Sequence, residues 1–142
     1  MTKKETASYR LFDHTADLGV EVTAPTLEEV FAGAGRALCR VLTPSPLKEE
    51  EERRIAVSGL DRTDLLINYL RELLGLYNVG GFTAAGIEIL GLYEHSLEAV
   101  LRGETFDPAR HEAGTEVKAV TYHKAEVSKT ARGWRARFIL DI

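Results

Sequence analysis

Apolar and polar residues alternate over Leu18–Ala24: Leu18, Val20 and Val22 fall on one side and Gly19, Glu21 and Thr23 on the other, the period of a half-buried strand. Tyr9–Phe12 reads as a shorter strand before it, joined through the turn Asp13-His14-Thr15-Ala16-Asp17. The period then changes. Leu27, Val30, Phe31, Ala34, Leu38, Val41 and Leu42 recur at helical spacing and predict a helix with one apolar stripe. Thr26 stands three residues ahead of Glu29, where a hydroxyl and a carboxylate can satisfy free amides of the first turn. Thr43-Pro44-Ser45-Pro46 ends the helix, because proline lacks an amide and disfavours helical geometry in the residue before it.

The charged run Lys48–Arg54 reads as a solvated loop or an edge guard without chemistry, leading into a short strand at Ile55-Ala56-Val57. A second helix opens after Ser58-Gly59-Leu60-Asp61, with Asp61 or Thr63 as its cap. Its buried face is Leu65, Leu66, Tyr69, Leu70, Leu73, Leu74 and Tyr77, and Gly80-Gly81 ends it. Strands follow at Phe82–Leu92, Ser96–Gly103, Val117–Lys129 and Trp134–Ile142, the last two joined by a hairpin turn at Thr130-Ala131-Arg132-Gly133. In the final strand Trp134, Ala136, Phe138, Leu140 and Ile142 alternate as a buried face up to the last residue. Two helices among six or seven strands predict an α+β fold, two helices packed on mixed or antiparallel β-sheet. A single-domain sandwich spanning residues 1–142 is expected, with residues 1–8 flexible.

Composition narrows the class. A chain of 142 residues can bury most of a normal core as one domain, and 44% hydrophobic with 28% charged residues is globular rather than disordered. The net charge of −4 disfavours tight direct nucleic-acid binding unless a local basic patch outweighs the total. Cys39 has no internal disulfide partner, nothing at the start resembles a signal peptide, and no apolar stretch approaches the roughly 20 residues of a membrane span. A cytoplasmic location is the expectation.

No zinc cysteine pair, metalloprotease helix, Gly-x-Ser-x-Gly or GxGxxG sequence is present, and Cys39 fits a packed core position. Two acidic segments stand out. The Asp13–Asp17 turn brings two carboxylates and His14 together, although short polar residues commonly serve only the turn. Asp141-Ile142 sets a side-chain carboxylate beside a main-chain one, and chain ends are usually frayed. The buried alternation up to Ile142 predicts a fixed end instead, whose charge needs partners. On a strand, Glu116, Lys118 and Tyr122 share a face, with Glu116 and Lys118 roughly 7 Å apart. They are either a surface ion pair or a means for Lys118 to offset the carboxylates or grip an anionic group of a partner. His111 and His123 read as structural, hydrogen-bonded histidines. Hard oxygen donors without cysteine suit Ca²⁺, Mg²⁺ or Mn²⁺.

Several segments in order resemble the archease family: Asp13-His14-Thr15-Ala16-Asp17-Leu18-Gly19, the helix Asp64-Leu65-Leu66 through Glu72-Leu73-Leu74, Gly103-Glu104-x-Phe106-Asp107-Pro108, the run from Gly114 to His123, and Asp141-Ile142. The resemblance spans Tyr9 to Ile142. It implies an accessory factor, not itself an enzyme, for the GTP-dependent RNA ligase that joins 2′,3′-cyclic-phosphate or 3′-phosphate ends to 5′-hydroxyl ends, as in tRNA splicing. Such a factor promotes guanylylation of the ligase's histidine and multiple turnover, the GTP being used by the ligase. The resemblance assigns a divalent-metal site, calcium or alternatively magnesium or manganese, to Asp17, Asp141 and the main-chain oxygen of Ile142. It ties His14, Glu116, Lys118 and Arg110 to function. This chain differs from the family pattern in having Asp13 for glutamate, Tyr69 for tryptophan, Arg110 for lysine and Leu140 for an aromatic. The competing readings are a metal-dependent hydrolase or nuclease on the same carboxylates, and a chaperone-like binding module in which the acids only satisfy a packed end.

Overall fold

The computed structural model describes residues 7–14 and 17–142, with the side chains of Asp13 and His14 outside that description. Residues 1–6 of the segment expected to be flexible, and Thr15 and Ala16 of the acidic turn, lie outside the described residues; Ser8 belongs to the first strand. In chain order the elements are β1 (Ser8–His14), β2 (Asp17–Ala24), α1 (Leu27–Leu42), β3 (Glu51–Ser58), α2 (Arg62–Gly80), β4 (Phe82–Leu92), β5 (Ser96–Thr105), β6 (Ala119–Thr130) and β7 (Gly133–Asp141). They form two sheets, a four-stranded one ordered β1-β2-β7-β6 and a three-stranded one ordered β3-β5-β4. Among the described residues every ladder is antiparallel, so the expected choice between mixed and antiparallel sheet resolves to the latter.

Both helices start where a side chain replaces missing backbone partners. The Thr26 hydroxyl accepts the Glu29 N–H at 3.2 Å, and the Asp61 carboxylate accepts the Asp64 N–H at 2.8 Å. Gly81 closes α2 in the left-handed region, φ 74°, where its missing Cβ removes the steric penalty, and its N–H reaches the Tyr77 carbonyl at 2.8 Å.

The helix α1 departs from the single stripe its spacing predicts. Ala32, Gly33, Gly35, Ala37 and Cys39 are buried along with Phe31 and Leu38, so nearly its whole surface is covered. A Cβ on Gly33 would press on Val22 of β2, whereas one on Gly35 would press on Tyr69 of α2 and Ile87 of β4. Two residues turn a helix by about 200°, so the two sheets lie on opposite sides of α1. The small residues of Ala32-Gly33-Ala34-Gly35 allow that double approach. In α2 the predicted apolar face is buried, with Ile67 added and Tyr77 half-buried. No helix among the described residues is long and apolar enough to cross a membrane.

Two boundaries shift in ways that matter for the site. The strand β3 begins at Glu51, so the second half of the charged run lies on a sheet edge, in keeping with an edge guard. The strand β6 begins at Ala119, two residues after the predicted start, because the preceding chain is bonded elsewhere.

Candidate functional site

The register of β2 against β7 runs from Ala24 opposite Trp134 to Asp17 opposite Asp141. The inward face of this pair is Val20, Val22, Ala136, Phe138 and Leu140, all fully buried, which fixes the register because a slip of one residue would expose it. The two aspartates therefore face each other by construction, on the opposite face, with Cβ atoms about 4.5–5.5 Å apart as for any directly opposed pair. The outer strands extend the row: His14 of β1 pairs with Asp17, and Ala119 of β6 pairs with Asp141. The His14 side chain and the residues between it and Asp17 fall outside the described residues.

Asp141 is exposed, and its main-chain carbonyl accepts the Lys118 N–H at 2.7 Å. Ile142 departs from expectation. It is 38% exposed, whereas Phe138 and Leu140 are fully buried; β2 starts at Asp17, opposite Asp141, so among the described residues the ladder gives Ile142 no β2 neighbour. The buried face thus stops at Leu140, and the end of the chain is held by the ladder at Asp141 instead.

Glu116 and Lys118 do not share a strand face with Tyr122. Both precede β6, in the connection 106–118, and are exposed. Tyr122 lies where the β6–β7 ladder loses register between Thr121 and Glu126, with Lys124 at φ 55°. There its hydroxyl donates to Asp64 Oδ1 at 2.5 Å and its ring lies 4.6 Å from the Arg71 guanidinium carbon. Lys118 is beside Asp141 through the backbone, and Glu116 is two residues away along the same segment.

Arg110 belongs to a second polar cluster. Its guanidinium donates to the Glu104 carboxylate and, at 3.3 Å, to Asp107. Glu104, at the end of β5, is 2% exposed; its Oε2 also accepts the Lys48 N–H at 2.6 Å. His111 is buried beside it. The His111 Nδ1 accepts the Asp107 N–H at 2.8 Å, which assigns the ring proton to Nε2. That nitrogen stands 3.2 Å from Glu104 Oε2, off the line of a hydrogen bond and without another partner among the described residues. The Lys48 amide first, then Arg110, hold the Glu104 carboxyl well below the usual carboxylate range, at about 2, against the opposing effect of burial. The sequence shows Glu104 only as part of the segment Gly103-Glu104-x-Phe106-Asp107-Pro108 and assigns it no role. Its signal was a run of carboxylates, Arg110 and His111 crowded into Glu104–Glu112, and a glutamate at the end of an otherwise apolar strand. Cys39 is a core residue as expected, its thiol pushed up to about 11 by burial. His123 sits in the irregular part of β6, its N–H bonded to Thr121 Oγ1 at 3.0 Å.

Among the described residues no three His, Cys, Asp or Glu side chains converge as a metal site. The donors that the register does bring together are the carboxylates of Asp17 and Asp141, next to main-chain oxygens at the end of β7. Like charges directly opposed across a ladder repel. A hard divalent cation such as Ca²⁺, Mg²⁺ or Mn²⁺ would relieve that repulsion, and an all-oxygen set fits it.

These features define a small α+β protein whose polar site is made by strand ends in register rather than by a phosphate loop or a nucleophile motif. Residues 9–142 match the model of the Archease protein family, and the chain belongs to that family. It is 34% identical over 139 residues to the protein archease of Methanosarcina mazei, covering 94% of this chain and 95% of that one. The protein archease of Pyrococcus abyssi is 35% identical over 136 residues, covering 92% and 96%. The solution structure of Methanobacterium thermoautotrophicum protein 1598 superposes with a TM-score of 0.79 at 33% identity, over 94% of this chain and 98% of that one. A crystal structure of an archease from Thermotoga maritima, described as a possible chaperone, shares the fold with a TM-score of 0.65 at 20% identity, over 100% and 98% of the two chains.

Proposed function

We propose that this chain is an accessory factor of a GTP-dependent RNA ligase, promoting guanylylation of the ligase's histidine and multiple turnover in tRNA splicing. Membership of the archease family supports the reading, and the observation that carries it is the register pairing of Asp17 with Asp141. The proposed ligands are Asp17, Asp141 and the main-chain oxygen of Ile142, and a bound divalent ion would supply neutralisation of phosphate charge during guanylyl transfer. Asp17 and Asp141 would hold such an ion at the end of the β2–β7 ladder. Lys118, tethered through its N–H to the Asp141 carbonyl, sets a positive charge beside the carboxylates, and Glu116 lies next along the chain. In this reading the chain contributes no covalent catalyst, and the net charge of −4 suits a protein partner better than a phosphate backbone.

The test combines the protein with the ligase, RNA ends, GTP and metal and counts ligation turnovers. Wild type is expected to raise turnover, and Asp141→Ala to lose most of the effect. Full activity of Asp141→Ala would refute the assignment. A divalent ion should also raise the melting temperature of wild type and not of Asp17→Asn. Retained stimulation by Asp17→Asn with no ion-dependent shift would favour a chaperone-like module, the description carried by the Thermotoga relative.

A further inference from the structure

The connection 106–118 leaves the three-stranded sheet at Thr105 and reaches the four-stranded sheet at Ala119, passing the C-terminal end of α1 on the way. Gly114 and Thr115 donate their N–H groups to the carbonyls of Leu42 and Val41 at 3.0 and 2.9 Å, filling acceptors that the last turn of a helix leaves open. A Cβ on Gly114 would strike the Val41 carbonyl, so the approach depends on glycine. Val117 is buried, and Lys118 then donates to Asp141. The first half of the connection is held at its ends by the Phe106 N–H on the Gly81 carbonyl at 2.8 Å and the Glu112 N–H on Ser45 Oγ at 2.8 Å, and between them by a buried carboxylate. Glu104 takes a hydrogen bond from the Lys48 backbone and another from Arg110, and faces His111, whose own ring is fixed by the Asp107 amide. Three chain segments thus meet at one side chain: the one preceding β3, the end of β5, and the turn Asp107–His111.

A buried charge is weak support for stability alone, since an apolar side chain of similar volume often serves as well. Its better-attested use is to specify one arrangement. Here the arrangement specified is the path of the strap that carries Glu116 and Lys118.

We propose that Glu104 is a positioning residue, which through Arg110, with His111 packed beside it, helps pin the strap 106–118 and so holds Lys118 beside the Asp17–Asp141 pair, with Glu116 two residues before it. The inference rests on the functional reading above for its consequence, and on the geometry alone for the strap. It gives Arg110 a role away from the carboxylate pair: it anchors the strap rather than touching the site.

The experiment uses the full chain as wild type, Glu104→Gln, Arg110→Ala, Arg110→Lys and Asp141→Ala, with two readouts. The first is amide hydrogen exchange at Gly114, Thr115 and Lys118 against the β2–β7 ladder. In Glu104→Gln and Arg110→Ala, exchange at the strap amides should rise about ten- to a hundredfold, the factor that losing one charge-assisted hydrogen bond gives a local opening, while ladder amides change far less. Arg110→Lys should fall between wild type and Arg110→Ala, because it keeps the charge and loses the fork. Unchanged strap exchange, or an equal rise across the whole sheet, would overturn the proposal. Arg110→Ala leaves the Lys48 bond to Glu104 intact and serves if Glu104→Gln does not fold. The second readout is ligation turnover against concentration of the chain. The strap variants should raise the half-saturating concentration several-fold more than they lower the maximum, whereas Asp141→Ala lowers the maximum. If Asp141→Ala matches wild type, the functional reading fails, and the exchange result still decides the strap.

Discussion

Replacing Glu104 by glutamine should destabilise the protein in a way that depends on pH. The carboxyl is held at about 2 against an ordinary value of 4.5, first by the Lys48 amide and then by Arg110. A carboxyl lowered that far favours the folded state by roughly 3 kcal/mol when it is ionised. Glutamine keeps the shape and one acceptor oxygen, but turns an NH₂ toward one of two donors, so a loss of about 2–3 kcal/mol is expected at pH 7. The sign follows from the lowered value. The unfolded chain binds a proton near pH 4.5 and the folded chain only near pH 2, so the contribution is complete above pH 4.5 and is lost as the pH falls toward 2. Urea titrations of both proteins in steps from about pH 6 to pH 3 measure the difference directly, with the slopes compared to confirm two-state behaviour. The gap between wild type and variant should be constant at the upper end and narrow below about pH 4.5. A gap that stays flat to pH 3, or one below about 0.5 kcal/mol at neutral pH, would show that the carboxylate is not held as the geometry requires.

Three further substitutions have outcomes fixed by local contacts. The buried Tyr69 hydroxyl has no hydrogen-bond partner among the described residues, so Tyr69→Phe should stabilise by about 1 kcal/mol in denaturant titration, and a loss of that size would reveal a hidden partner. Gly114→Ala should cost about 1–3 kcal/mol in the same assay, since its Cβ meets the Val41 carbonyl and Pro44 Cδ, and a neutral result would mean that the strap can leave α1 freely. The Asp64 carboxylate raises the Tyr122 phenol by accepting a hydrogen bond from its hydroxyl, so Asp64→Asn should move that ionisation to lower pH in ultraviolet titration; an unmoved midpoint would show the contact to be absent in solution.

Local chemistry made much of the fold readable in the sequence. The caps Thr26 and Asp61, the Gly80-Gly81 stop and the two-residue hairpin turn before Gly133 are set by neighbouring atoms, and the structure has each of them. What stayed hidden depends on distant partners. The spacing of α1 suggested one buried stripe, yet Ala32-Gly33-Ala34-Gly35 lets a second sheet press on its other side, and no periodicity encodes a second layer. Asp17 and Asp141 were separately visible as acids, but only the β2–β7 register shows that they face each other. Glu116 and Lys118 were given strand geometry because they precede a strand pattern without a break. Their backbone instead follows α1 and Asp141, a choice made by Gly114, Thr115 and Glu104 from outside the segment.

The locking of the aspartate row to the core has a consequence for how such a chain can change length. Side chains along β2 alternate, so Asp17 shares a parity with Gly19 and Glu21, and Val20 and Val22 hold the other. Deleting or inserting one residue between Leu18 and Val22 would leave Val22 seated but turn both Asp17 and Leu18 to the wrong side, misplacing one carboxylate and lifting an apolar side chain off the core. Two residues would restore the side but carry Asp17 about 7 Å past Asp141. Such a strand admits an odd residue only by looping it out, as β6 does between Thr121 and Glu126. Chains that keep both acids should therefore vary in length in their turns and at the β6 irregularity, and hold the count from Asp17 to Ala24 and from Trp134 to Asp141 fixed.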